Sequence, residues 1–269
     1  MEKTDKVYTG TLWAMKARGE RICALTAYDY PTARILDEAG VDVVLVGDSL
    51  GNVVLGHETT LSVTREDMVR HTEAVARGVK RALVVADMPF LSYQPSADEA
   101  VRNAGRLLQS GAQAVKLEGG RHYAATVERM VAAGIPVMGH LGYTPQSVHV
   151  FGSHVIQGRT EEEVSDLAEN VRALQEAGCF SIVLECIPAG LAAGITRELR
   201  IPTIGIGAGP DCDGQVLVLH DMLGLTFGPK LKHARVYADV REQISRAVSS
   251  YVADVREGGF PRPEESFEG

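Results

Sequence analysis

Cysteine is scarce in this chain of 269 residues: Cys23, Cys179, Cys186 and Cys212 are the four present, and no two of them form a C-x-x-C pair. That excludes a disulfide framework and a thiolate zinc cluster as organisers of the fold, so the four are expected to be reduced packing residues. Long apolar runs are missing as well. No stretch of eighteen uncharged apolar residues occurs, and the opening M-E-K-T-D-K lacks the apolar core of a secretory signal. The expectation is a soluble, cytoplasmic protein with no membrane partner. Basic residues are in deficit, 27 Lys and Arg against 35 Asp and Glu for a net charge of −8. With no Lys/Arg block and no aromatic-basic interleaving, nothing supports a nucleic-acid partner. Gly-Lys-Ser and Gly-Lys-Thr are absent, which removes a P-loop.

What is abundant is glycine, 28 residues, in an otherwise ordinary globular composition of 45% hydrophobic and 23% charged residues. Such a length suits either one large barrel or two ordinary domains. Short runs rich in Val, Ile and Leu recur at Ile22 to Leu25, Val41 to Val46, Leu83 to Ala86, Ala114 to Leu117, Ile135 to Met138, Ser181 to Leu184, Pro202 to Ile206 and Val216 to Leu219. They are nearly continuously apolar, as parallel strands covered on both faces must be. Thr64, Ser96 and Thr160 open helices, the last two as capping boxes with Glu99 and Glu163. Gly40, Gly111, Gly134 and Gly178 end helices just before strands. This rhythm predicts a single-domain (β/α)8 TIM barrel over residues 1–255, with a doubly wound open sheet as runner-up. The last helix is expected at Val236 to Val255, a lid-like loop at Gly47 to Ser62, and an acidic, flexible tail at 256–269.

In parallel α/β folds ligands meet the carboxyl ends of the strands, and here those ends are acidic. Asp48 and Ser49 follow the second run, Asp87 the third, Glu118 the fourth, which also contains Lys116. His140 follows the fifth and Glu185 the sixth. Four carboxylates at one mouth repel one another unless a cation, a proton or Lys116 offsets the charge. Oxygen ligands of this kind suit Mg²⁺, while a lone His140 without a second clustered His or Cys speaks against zinc. Mg²⁺ on Asp48 and Asp87 could chelate a 2-oxo acid and acidify its adjacent C–H, with a carboxylate or histidine taking the proton. Ser49 and Lys116 could hold the anionic oxygens. The residue types leave the reaction partner open.

The wording of the segments narrows this. Leu25-Thr26-Ala27-Tyr28-Asp29, Val46-Gly47-Asp48-Ser49-Leu50-Gly51, Ala86-Asp87-Met88-Pro89-Phe90, Val115-Lys116-Leu117-Glu118-Gly119-Gly120, Gly139-His140-Leu141-Gly142-Tyr143-Thr144-Pro145-Gln146 and Ile204-Gly205-Ile206-Gly207-Ala208-Gly209 stand in an order and spacing that resemble the ketopantoate (3-methyl-2-oxobutanoate) hydroxymethyltransferase family from about Val7 to Val255. The resemblance implies a cytoplasmic, Mg²⁺-dependent barrel enzyme of pantothenate biosynthesis, which moves a one-carbon unit from 5,10-methylenetetrahydrofolate to 3-methyl-2-oxobutanoate and gives 2-dehydropantoate and tetrahydrofolate. It further implies Asp48, Asp87 and Glu118 as metal ligands, Asp48, Ser49, Asp87 and Lys116 as oxo-acid contacts, Glu185 as proton acceptor, and a homodecamer of two pentameric rings. His140 stays as auxiliary or rival base, because its unperturbed pKa lies nearer neutrality.

Two other readings remain open from the residues: a Mg²⁺-dependent lyase or mutase acting on a 2-oxo acid, and a catalytically silent barrel. Gly205 to Gly209 resembles a phosphate-cradling turn, but a tight turn with close backbone packing explains it more simply. His57, His149, His154 and His220 could line a folate cleft, and surface or capping roles are the plainer reading. Tyr28 and Tyr143 could flank the substrate, and core or rim packing is the plainer reading.

Overall fold

The structure, a computed structural model, describes residues 5–152, 155–228 and 231–267. Eight parallel strands close into a barrel in sequence order: β1 Ile22–Thr26, β2 Val43–Val46, β3 Leu83–Asp87, β4 Ala114–Glu118, β5 Val137–Gly142, β6 Ser181–Glu185, β7 Thr203–Ile206 and β8 Gly214–Leu217. Closure excludes the open doubly wound sheet, because β1 pairs with both β2 and β8. The principal helices are α1 Thr9–Arg18, α2 Tyr30–Glu38, α3 Arg65–Gly78, α4 Ala97–Gln109, α5 Ala124–Ala132, α6 Glu161–Glu176, α7 Ala189–Glu198 and α8 Val240–Glu257. The link 207–213 carries the chain from β7 to β8 without a helix.

Strand bounds differ from the sequence expectation where polarity or turn bonding intervenes. β5 runs on through Gly139, His140, Leu141 and Gly142, residues whose mixed character hides a strand from a search for apolar runs. β2 starts only at Val43, since the Val41 N–H closes the preceding turn on the Leu36 carbonyl. The helix starts hold with one exchange: Thr64 forms a full capping box with Asp67 and Thr160 with Glu163, whereas Ser96 only accepts from the Glu99 N–H. Gly111 and Gly178, at φ 105° and 97°, make the left-handed turns that deliver the chain from helix to strand.

Strand alternation explains both the core and the site. Ala24, Val43, Leu45, Leu83, Val85, Ala114, Met138, Val183, Ile204 and Val216 form one buried cluster. Because side chains recur on one face with period two, the same rows continue toward the strand ends as Asp87 after Val85, Lys116 and Glu118 after Ala114, His140 after Met138, and Glu185 after Val183. The interior is thus apolar at one end and ionic at the other. Val7, Leu12 and Met15 join the apolar end of this cluster, so α1 and the residues before it cover that end. Trp13 Nε1 donates to the Phe180 carbonyl at 2.7 Å, and Lys16 Nζ pairs with Asp213 at 2.7 Å.

The strands lie in a compact unit, Met1–Val218, and Leu219–Gly269 form a second one. The expected final helix occurs in that second unit as α8, opening where Asp239 accepts from the Glu242 N–H. None of its residues is buried, and Ile244, Val248, Tyr251 and Val255 are exposed at helical spacing. Of the expected tail 256–269, the last two residues lie outside the described ones.

Candidate active site

Asp87 and Lys116 stand opposite each other in the register of β3 and β4, and their side chains form an ion pair at 2.8 Å. The other Asp87 oxygen, Oδ2, accepts the backbone N–H of Asp48 at 3.0 Å, which joins the end of β2 to the end of β3. A Cβ on Gly47 would lie 2.7 Å from Ser49 Oγ and crowd that hydroxyl, while Asp87 Oδ2, at 3.6 Å, would be in ordinary contact. Ser49 Oγ is 2.8 Å from the hydroxyl of Tyr28, itself buried, as the packing reading expects.

His140 bridges two further acids. Its Nδ1 lies 3.5 Å from Glu118 Oε1, across the β4–β5 pair, and its Nε2 lies 3.1 Å from Glu185 Oε2. Lys116 Nζ is 3.3 Å from the same Nδ1. Burial, the largest influence, and the Lys116 charge pull the imidazole pKa down, but Glu118 and Glu185 outweigh them and push it up to about 9. For Lys116, burial again opposes the charge, yet Asp87, Glu118 and Asp48 together hold the ammonium above its usual range. Burial raises Asp48 well above the ordinary carboxylate range, and the nearby Asp87 and Glu118 charges add to the effect.

Two residues with no assigned role in the sequence reading turn out to organise these acids. Gln146 donates through Nε2 to Asp48 Oδ2 at 2.9 Å and to the Met88 carbonyl at 3.0 Å, and its backbone N–H donates to Glu118 Oε2 at 2.9 Å. The Tyr93 hydroxyl lies 2.9 Å from the Glu118 carbonyl and 3.0 Å from Gln146 Oε1. Gln146 lies a few residues past the end of β5, the same kind of position that singled out the acids. Being uncharged, it lacks the signal that marks the acids. Tyr93 sits in the β3–α4 loop and carried no comparable signal.

All the expected site residues therefore gather at the ionic end of the barrel. Asp48, Asp87, Lys116, Glu118 and His140 are buried, while Ser49 and Glu185 are partly open. Asp87 Oδ1 and Glu118 Oε1 are buried without a directed hydrogen bond, their cationic neighbours meeting them at ion-pair distance only. Among the described residues, no group of three or more His, Cys, Asp or Glu side chains is placed to hold a metal ion. Hard oxygen donors with unspent acceptor capacity and excess negative charge fit Mg²⁺, which takes one or two protein carboxylates and leaves its other positions to water and substrate. They do not fit zinc.

His57 and His149 are exposed, His220 belongs to the second unit, and His154 lies outside the described residues. Gly205 and Ile206 end β7 and the tight turn begins at Gly207: Gly207 and Gly209 have positive φ, and a Cβ on Gly209 would collide with Ala189. Tyr143 is buried and donates its backbone N–H to the Glu185 carbonyl at 2.8 Å.

Comparison with known proteins supplies the family. Residues 6–263 match the family described as ketopantoate hydroxymethyltransferase. The 3-methyl-2-oxobutanoate hydroxymethyltransferase of Acetivibrio thermocellus is 56% identical over 264 residues, covering 98% of this chain and 93% of the relative. That of Pyrobaculum neutrophilum is 58% identical over 249 residues, with 93% and 95% covered. Among solved structures, phosphonopyruvate hydrolase in complex with oxalate and Mg²⁺ superposes with a TM-score of 0.63 at 12% identity, over 96% of this chain and 93% of that one. For 2,3-dimethylmalate lyase the TM-score is 0.59 at 16% identity, with 96% and 91% covered. Identities this low speak for the barrel fold alone. The full-length relatives decide the family: this chain is a member of the ketopantoate hydroxymethyltransferases, transferases of a hydroxymethyl group.

Proposed function

We propose that the chain uses 5,10-methylenetetrahydrofolate, water and 3-methyl-2-oxobutanoate to form 2-dehydropantoate and tetrahydrofolate, with Mg²⁺ at the ionic end of the barrel. The observation that carries this reading is the buried cluster of Asp48, Asp87 and Glu118, in which burial first and the neighbouring acids next hold Asp48 well above the ordinary carboxylate range, a cost that a divalent cation would offset. Asp48 and Asp87 would hold the ion, and Glu118 would balance its charge from the far side of Gln146. When bound, Mg²⁺ supplies Lewis-acid polarisation of the 2-oxo group.

The remaining work falls to the protein. Ser49 donates a hydrogen bond to the substrate carboxylate, and Lys116 neutralises oxygens that gain charge as the C3 proton leaves. Glu185 takes that proton. His140, 3.1 Å from Glu185 Oε2, orients the carboxylate. With its pKa pushed up to about 9, the imidazole is already protonated near neutrality and is a poor base, which favours Glu185. Water opens the N–CH2–N bridge of the folate, so that tetrahydrofolate leaves and the one-carbon unit is presented as formaldehyde; the C3 nucleophile held by Lys116 and Ser49 adds to its carbon, and the resulting alkoxide takes up a proton as the hydroxymethyl group. No helix among the described residues is long and apolar enough to cross a membrane, and we assign the reaction to the cytoplasm. We also infer a homo-oligomer, a decamer of two pentameric rings; the exposed apolar face of α8 supports burial against another copy.

The deciding experiment measures 2-dehydropantoate formed from 3-methyl-2-oxobutanoate and methylenetetrahydrofolate with and without Mg²⁺. Product only with the metal is expected, and no product in either condition overturns the reading. Light scattering on the same preparation tests the assembly, for which ten chains of 28.9 kDa are expected.

A further inference from the structure

A cavity lies in the groove between α3 and α4, with none of the site acids in its lining. It has a volume of about 420 Å³. Val69 on one helix, Leu107 on the other and Pro89 from the β3–α4 loop give it an apolar floor. Arg65, Arg70 and Arg106 line it against Glu66 and Glu73, so positive charge is in excess. Arg65 Nη1 donates to Asn103 Oδ1 at 3.2 Å, and Asn103 Nδ2 in turn holds the Ser92 carbonyl at 2.6 Å. Ser92 is 1% exposed, lines the cavity, and its hydroxyl has no hydrogen-bond partner. A buried hydroxyl left unpaired is costly, and a ligand acceptor would satisfy it.

The groove is tied to the reaction site by a short piece of chain. Asp87 belongs to the site, the Met88 carbonyl accepts from Gln146, and Pro89 already lines the groove. Between Pro89 and Ser92, Phe90 and Leu91 are exposed, and Leu91 has φ 62°, a conformation leucine rarely adopts. An exposed aromatic and aliphatic pair next to an arginine-lined groove matches a ligand that carries an aryl ring followed by carboxylates.

We propose that this groove binds the glutamate tail of the folate co-substrate, with Phe90 and Leu91 against the aminobenzoyl ring and Arg65, Arg70 and Arg106 taking the tail carboxylates. The inference rests on the folate reading above. Guanidinium forks pair with carboxylates through two parallel hydrogen bonds, and the groove lies outside the acids, so it acts on folate affinity and not on proton removal.

The test uses the Mg²⁺-loaded protein and three methylene donors: the tetrahydropteroate form without glutamate, the monoglutamate and the triglutamate. In the parent protein KM is expected to fall as the tail lengthens. Arg70→Gln and Arg106→Gln should each raise KM for the triglutamate by about tenfold, leaving the tail-less donor, kcat and the oxo-acid KM unchanged. Ser92→Ala should move KM in the same direction by less. A KM independent of tail length, or an equal rise for all three donors, overturns the groove assignment. Deuterium exchange at C3 of the oxo acid without folate reports whether a variant has kept its site; where Arg106→Gln loses exchange, Arg70→Gln decides. Turnover with all three donors but no tail effect sinks the groove alone. Absence of turnover in the parent sinks the folate reading and the groove with it.

Discussion

The Gln146 side-chain amide donates to Asp48 Oδ2 at 2.9 Å across 98 residues of sequence, while its backbone N–H holds Glu118 Oε2. One neutral residue thus keeps two buried carboxylates apart and fixes which oxygen of each faces elsewhere. A carboxylate so oriented loses less entropy when it takes up a cation.

Replacing Gln146 by Leu should remove the amide bond to Asp48 and leave the backbone bond to Glu118 in place. Titration calorimetry of Mg²⁺ with the oxo acid should show affinity weaker by about tenfold, as loss of one hydrogen bond to a charged group implies. Unchanged affinity would mean that Asp48 is held well enough by its neighbours.

Glu185→Gln keeps the shape of the proton acceptor and removes its basicity. Deuterium exchange at C3 of 3-methyl-2-oxobutanoate, monitored by NMR, should slow by about 10²- to 10⁴-fold, with oxo-acid affinity within a few-fold of the parent. If exchange survives in Glu185→Gln and is lost in His140→Asn, the imidazole is the base.

The metal-free protein should lose stability as pH rises. The folded-state pKa of His140 is pushed up to about 9 from 6.5, so its contribution is complete below the unfolded value and lost as pH climbs through the folded one. Asp48 is shifted upward too, which also binds protons more tightly in the folded state and acts in the same direction. Melting in EDTA should therefore fall between pH 6.5 and 9, and added Mg²⁺ should raise Tm more at pH 9 than at pH 6.5. A Tm rising over that interval in EDTA contradicts the electrostatics described.

Lys16→Met tests the closed end of the barrel apart from the chemistry. Lys16 pairs with Asp213, which also accepts the Thr203 N–H at 2.8 Å. The pair is largely but not wholly buried, so denaturant unfolding should show a loss of about 1–3 kcal/mol with kcat preserved. A large drop in kcat with unchanged stability would point instead to coupling between the two ends.

Much of the barrel and of its ionic end is legible in the sequence, and the reason is physical. A barrel strand buried on both faces must be apolar, so β3, β4 and β6 announce themselves, and period-two alternation sends Asp87, Glu118 and Glu185 inward at their ends. The β5 strand breaks the pattern because Gly139, His140 and Gly142 serve close packing and the site more than the core. Gln146 and Tyr93 escape for a different cause. Their importance lies in the groups they hydrogen-bond, and partners brought together by the barrel's closure leave no local mark in the sequence. The helixless link from β7 to β8 is likewise hidden, since Gly207 and Gly209 mark a turn but carry no signal for the element after it.

The helix at the apolar end carries a consequence for how the molecule is made. Trp13 and Lys16 find their partners at Phe180 and Asp213, far along the chain. Helix α1 leaves the ribosome well before these partners and is satisfied late: its Trp13 and Lys16 contacts must wait until Phe180 and Asp213 have been made. Contacts of such long sequence separation are slow to form, so sealing of the barrel floor comes late in folding.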